Sequence, residues 1–139
     1  NKLQGNIEKV YYAAAEGLID EKGTIDAPIA RQQESIITRC VRADGQSAVT
    51  HYERVFHNDR FSFAEIHLET GRTHQIRVHF AHIGHPLAGD DMYGGKLDFI
   101  NRQALHCGKM IFTDYVSGET KTVIAEISDD IKALFDGGI

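Results

Sequence analysis

The sequence predicts an α+β domain built on a mainly antiparallel, mixed sheet with flanking helices. Three observations carry that expectation. Runs of alternating apolar and polar residues are closed at short intervals by turn residues, as in strands joined by hairpins. One window, residues 75–83, changes from a period of two to a period near 3.6. The composition, 42% hydrophobic and 25% charged over 139 residues, is that of a globular chain. A chain of this length buries roughly two-thirds of its unfolded surface, enough for one core without disulfide support.

Val10-Tyr11-Tyr12-Ala13-Ala14-Ala15, closed by Gly17, reads as a short strand. Ile25 to Ile29 contains Pro28 and reads as an extended connection, since proline is excluded from helix interiors. Ile36–Val41, the turn residues Ala43-Asp44-Gly45, and Ala48–Phe56 read as a hairpin. Asn58-Asp59-Arg60 supplies the next turn, and Phe61–Leu68 returns as a strand with Ala64, Ile66 and Leu68 on one face. Ile76, Phe80 and Ile83 then form one stripe of a helix that Thr70 or Thr73 would cap and Gly84 would end. His74, Arg77 and Ala81 follow the same spacing on a neighbouring stripe, which puts Arg77 beside the buried face. A glycine-rich loop, Gly89 to Gly95, precedes a strand from Leu105 to Phe112. Ser117-Gly118 turns it into a partner, Thr120–Ile127, and Ser128 with Asp129 and Asp130 opens a short helix to Phe135.

Cys40 and Cys107 are far apart and lack a Cys-x-x-Cys pairing, so both read as reduced core residues in a cytoplasmic protein. No apolar run is long enough to span a bilayer, and no membrane partner is expected. The chain starts at Asn1 and opens directly into a strand-like stretch, which suggests part of a longer protein.

The net charge of −5 argues against a domain that coats nucleic acid by bulk attraction. Any polyanion site must be local. The window Gly71 to Gly89 holds Arg72, His74, Arg77, His79, His82 and His85 without one acidic residue. Such a concentration can focus a polyanion into a cleft on an acidic protein. Backbone amides at a helix start and an arginine fork on its first turns both bind phosphate or carboxylate. The residues alone leave open whether Arg72 and Arg77 hold an anion or form structural ion pairs. The spacing of His79, His82 and His85 raises a zinc site, but Gly84 and Pro86 break the helix and no acidic ligand lies nearby, so no metal is expected.

The run GRTHQIRVH at 71–79, continued by AHIGHPLAGDDMYG at 81–94, resembles the third motif of the RluA-like pseudouridine synthases and the loop after it. GTIDAPIAR at 23–31, GQSAVTHYERV at 45–55 and RQALHC at 102–107 resemble further elements of that family in the same order. The resemblance covers nearly the whole chain except its last stretch. It implies the carboxy-terminal part of a catalytic domain that isomerises uridine to pseudouridine in structured RNA, usually ribosomal and otherwise transfer RNA, without cofactor or metal.

It also implies roles. The family's Lys-x-Tyr-x-Ala signature falls on Lys9, Tyr11 and Ala13, giving Tyr11 the tyrosine that stacks on the base and helps remove a proton. Arg77 takes the basic role beside the nucleophilic aspartate, which an arginine keeps ionised. Arg72, His74 and Gln75 are expected to contact RNA. The family's His-Arg-Leu-Asp, which carries the nucleophile, does not occur in this chain, so the chain alone is expected to be inactive. Asp90 and Asp91 match the loop after the helix, not the catalytic position. A non-catalytic RNA-binding fragment is the alternative.

Overall fold

The computed structural model describes residues 7–32, 38–114, 116–136 and 139. Its centre is a six-stranded sheet in the order β2-β5-β6-β1-β7-β8, formed by β1 (Ile7–Glu16), β2 (Lys22–Asp26), β5 (Val49–His57), β6 (Phe61–Leu68), β7 (Leu105–Thr113) and β8 (Thr120–Ile124). A separate two-stranded sheet pairs β3 (Ile29–Arg31) with β4 (Arg39–Val41). Every pairing among the described strands is antiparallel. Helices α1 (Gln75–His82) and α2 (Asp129–Ala133) complete the α+β fold the sequence predicts.

β1 is a central strand, and its alternation sorts the core into two layers. Ala13 and Ala15 face a cluster with Ile25, Tyr52, Ala64, Ile66, Leu87 and the α1 residues Ile76 and Phe80. Ala14 faces the opposite cluster, with Phe61, Phe63 and the α2-side residues Ile131, Leu134 and Phe135. The three alanines are fully buried, and their small side chains let elements approach the strand from both faces. Ala64, Ile66 and Leu68 share the α1 face as expected.

The hairpin expected between Ile36–Val41 and Ala48–Phe56 is not formed. Its strands belong to different sheets: β4 pairs with β3, whereas β5 pairs with β2 and β6. Ile36 and Ile37 lie outside the described residues. The turn at Gly45 carries the chain back over Ile29, with reciprocal Ile29 N–H to Gln46 carbonyl (2.9 Å) and Gln46 N–H to Ile29 carbonyl (2.8 Å) bonds. A Cβ at Gly45 would come within 2.6 Å of the Ile29 backbone, so the glycine permits this close crossing. The segment read as a plain connection contains β2, which Pro28 separates from β3 because proline has no N–H for a ladder.

Asn58 makes the β5–β6 turn, its Oδ1 accepting the N–H groups of Arg60 (2.9 Å) and Phe61 (2.8 Å). Gly84, at φ 86°, ends α1, and the His85 N–H returns to the Phe80 carbonyl at 2.9 Å. Ser128 stands at the start of α2 without a side-chain cap; its hydroxyl accepts from Arg102 Nη2 at 2.9 Å, an alternative offered by an arginine the local sequence does not contain. Cys40 and Cys107 are free but only partly buried, on β4 and β7, not in the core.

Candidate active site

A cleft of ≈ 400 Å³ opens where α1 meets the β1–β7 side of the sheet, lined by Tyr11, Leu68, Arg72, His74, Gln75, Arg77 and Leu105 among others. Other depressions reach ≈ 370 Å³, so volume does not single this one out. Its lining does, because it gathers the cationic turn, the first turn of α1 and the β1 tyrosine.

Tyr11 and Tyr12 diverge as strand neighbours must. Tyr11 borders the α1-face cluster and the cleft, while Tyr12 stacks on Phe63 at 5.6 Å on the other face. Burial, reinforced by Cys107, raises the Tyr11 phenol above the ordinary tyrosine range, so it stands protonated at neutral pH.

The turn before α1 departs from the expected threonine cap. His74 occupies the cap position in the left-handed region, φ 57° and ψ 21°, with no side-chain cap bond. A histidine there is strained by roughly 1–3 kcal/mol, which surrounding contacts must overcome. Those contacts come from Gln75. Its Oε1 accepts the Thr70 hydroxyl (2.7 Å) and the Arg72 N–H (3.0 Å), and its Nε2 donates to the Val49 carbonyl (3.0 Å) and Thr50 Oγ1 (2.9 Å). Thr70 is thus diverted from capping into holding Gln75, and it also accepts the Val49 N–H at 3.0 Å.

The network continues inward. Thr50 Oγ1 lies 2.8 Å from His79 Nδ1, and His79 Nε2 donates to the Ala27 carbonyl at 2.8 Å. Since a carbonyl can only accept, His79 is the Nε2–H tautomer and Thr50 donates to Nδ1. Burial lowers the His79 pKa, and the ring stays neutral. With both nitrogens engaged, His79 is a structural tie between α1, β5 and the β2–β3 junction. His85 Nδ1 is likewise engaged, at 2.8 Å from the Glu16 carbonyl.

Arg77 has a partner the sequence reading did not assign. Its Nε donates to Asp90 Oδ2 at 3.0 Å and its Nη2 to Asp90 Oδ1 at 2.8 Å. The Arg77 side chain is 13% exposed and that of Asp90 1% exposed. The Asp90 hydrogen bonds hold the guanidinium above the ordinary arginine range against the opposing cost of burial. Tyr93 lies beneath it, with the Arg77 Cζ 5.1 Å from the ring centroid, a cation–π distance.

Asp90 is delivered from the end of β1. Residues 86–88 run along the end of that strand through the Ala15–Leu87 bridge and the Ala88 N–H to Ala14 carbonyl bond (2.9 Å). Gly89 then turns the chain at φ 75°, where a Cβ would lie 2.0 Å from the Arg102 carbonyl oxygen. Only glycine fits. The one sequence signal for this device was the glycines that bracket Asp90 and Tyr93. Arg72 is held differently: its Nε donates to the Ser47 carbonyl at 2.7 Å, and it makes no ion pair among the described residues.

The fold and cleft define a class: an antiparallel α+β domain that gathers in one cleft an arginine without an ion pair among the described residues, a clamped arginine and a protonated tyrosine. The chain belongs to the RNA pseudouridylate synthase family, whose model matches residues 1–82. It is 43% identical over 134 residues to the uncharacterized RNA pseudouridine synthase YjbO of Bacillus subtilis, covering 96% of this chain and 47% of that protein. It is 39% identical over 145 residues to the ribosomal large subunit pseudouridine synthase D of Haemophilus influenzae, covering 94% of this chain and 44% of that protein. Among solved structures, human RNA pseudouridylate synthase domain containing 1 superposes with a TM-score of 0.77 at 27% identity, covering 88% of this chain and 56% of that one. The chain spans about half the length of the curated relatives it matches.

Proposed function

We propose that this chain supplies the tyrosine and arginine side of an active site that converts uridine to pseudouridine in ribosomal RNA, within a protein whose nucleophilic aspartate lies outside it. The reading rests on one observation above all: Tyr11 on β1 and Arg77 on α1, given roles by separate motifs, line the same cleft. In the reaction the family resemblance implies, uracil leaves the ribose, rotates and rejoins through carbon-5. Tyr11 stacks on the base and, its phenol being protonated, takes part in removing the carbon-5 proton as a relay, accepting that proton only as it passes its own to the aspartate carboxylate freed when the base rejoins. Arg77 presents to the nucleophile the Nη1 edge that Asp90 leaves unused, and stabilises the ionised carboxylate.

Arg72 binds phosphate, since its guanidinium makes no ion pair among the described residues. Gln75 shapes the turn, because its amide is fully committed to protein partners. No cofactor or metal takes part in this scheme. A cytoplasmic protein fits it, and no helix among the described residues is long and apolar enough to cross a membrane. The test is to assay the full protein and the 139-residue chain on the same ribosomal RNA, scoring pseudouridine by its altered chemical reactivity. Turnover by the full protein, its loss in Tyr11→Phe and Arg77→Ala, and none by the chain alone are expected. Undiminished turnover by Tyr11→Phe would remove the proposal's central residue, and RNA binding without turnover by the full protein would favour a binding module.

A further inference from the structure

His74 sits on the cleft wall beside Arg77, and its strained backbone is matched by an unusual side-chain arrangement. Its Nδ1 lies 2.6 Å from the Tyr93 hydroxyl, with the rings edge to face at 5.7 Å. The same hydroxyl oxygen accepts the Arg39 N–H at 3.0 Å. The arrangement that satisfies both groups has Tyr93 donate its single hydrogen to His74 Nδ1, since a donation from Nδ1 to an oxygen that already accepts the Arg39 N–H would leave the hydroxyl hydrogen without an acceptor among the described residues. With that bond made, the imidazole hydrogen is on Nε2, which has no protein partner among the described residues.

We infer that Tyr93 is a positioning residue that locks His74 as the neutral Nε2–H tautomer, so that the cleft presents a fixed, uncharged donor for a carbonyl oxygen of the pyrimidine base. The inference rests on the proposed function for the identity of the ligand, but not for the tautomer. The groups facing His74 are Arg77 on α1, Arg39 on β4, and Asp90 and Tyr93 on the loop after α1. Burial first, then Arg77 and Arg39, lower the His74 pKa, with Asp90 opposing. Two neighbouring guanidiniums thus keep the ring neutral, and a neutral N–H beside a cation suits a carbonyl better than a phosphate, which would favour imidazolium. Arg72 already offers charge to the backbone of the RNA, so His74 adds recognition of the base where charge alone cannot discriminate.

The experiment uses the full protein labelled with ¹⁵N in its histidine rings. In the wild type, His74 should show a protonated Nε2 and an unprotonated Nδ1 across neutral pH, and titrate below the ordinary histidine range. A predominant Nδ1–H form overturns the inference, and this arm needs no variant. In Tyr93→Phe the two tautomers should mix and the titration midpoint should rise. The acid limb of kcat/KM should move up in pH with it, with a loss of about tenfold at the optimum, the scale of one hydrogen bond. A packing role alone would lower stability and leave the tautomer, the titration and the acid limb in place, and that outcome also overturns it. The salt dependence of RNA affinity should be unchanged in Tyr93→Phe, whereas a slope smaller by about one would mean that His74 meets phosphate as a cation, contrary to the inference. The tautomer is read in the free protein, so it stands or falls separately from the pseudouridine assay.

Discussion

Arg77 and Asp90 form a two-point ion pair at 3.0 and 2.8 Å across the junction of α1 and the glycine-bracketed loop, with the carboxylate sealed from solvent. Thirteen positions of sequence separate them, yet each is the other's principal partner. Removing either leaves a charge in a poorly hydrated site. Arg77→Ala should cost about 3 kcal/mol of stability in chemical denaturation, and Asp90→Ala a similar amount. The double variant should cost clearly less than the sum, since no unpaired charge then remains. Additive single effects would show that the pair is not the unit it looks to be.

Arg72 and Arg77 should separate in function. Arg72→Ala is expected to weaken RNA binding and reduce the magnitude of its salt slope by about one, as a lost phosphate contact does. Arg77→Ala should abolish turnover by the full protein while the salt slope stays close to wild type, because Asp90 already neutralises much of its charge. Binding isotherms at several salt concentrations, beside single-turnover assays, check both.

The two glycines that flank the cleft's elements should behave oppositely. Gly89→Ala places a methyl against the Arg102 carbonyl in a left-handed backbone and should cost about 2–4 kcal/mol, displacing Asp90 with it. At Gly71 an added Cβ meets nothing within 4 Å, and Gly71→Ala should change stability by no more than about 0.5 kcal/mol. Denaturation midpoints of the two variants measure the contrast.

Acid stability should carry the signature of His79. Burial depresses its folded pKa below the unfolded value near 6.5, so the folded state refuses a proton that the unfolded state accepts. Stability contributed this way is complete above pH about 6.5 and falls as pH drops from there toward the folded pKa, at up to about 1.4 kcal/mol per unit. His79→Leu should be less stable at pH 7.5 by about 1–3 kcal/mol, having orphaned the Ala27 carbonyl, but should lose stability less steeply on acidification. Denaturant titrations from pH 7.5 down to 5.5 give both numbers, and an unchanged acid slope would exclude His79 as the source.

Patterns that repeat within a few residues were legible in the sequence. The alternation of Phe61–Leu68, the stripe of Ile76 and Phe80, the asparagine turn at Asn58 and the stop at Gly84 all follow from backbone periodicity and local hydrogen bonding, and the structure keeps them. So did the family and its tyrosine and arginine motifs, because those residues stand in contiguous runs. What failed locally failed for one reason. Thr70 and Ser128 each had a plausible capping role and met other partners, Gln75 with Val49 and Arg102; the Ala43-Asp44-Gly45 turn forms, but the chain beyond it crosses back over Ile29 and its flanking strands pair elsewhere.

The sequence by itself determined an α+β chain with a cationic turn leading into a helix, and it placed Tyr11 and Arg77 on elements able to meet. Only the tertiary structure decided that Asp90 would clamp Arg77, that Tyr93 would orient His74, and that Gln75 would be spent on holding the turn. The first two depend on residues 86–88 docking against the end of β1, which delivers the loop to α1, and the third on β5 lying beside the turn before α1. A hydrogen bond forms where two groups arrive within about 3 Å in the right orientation, and arrival is a property of packing across the sheet that no local period encodes.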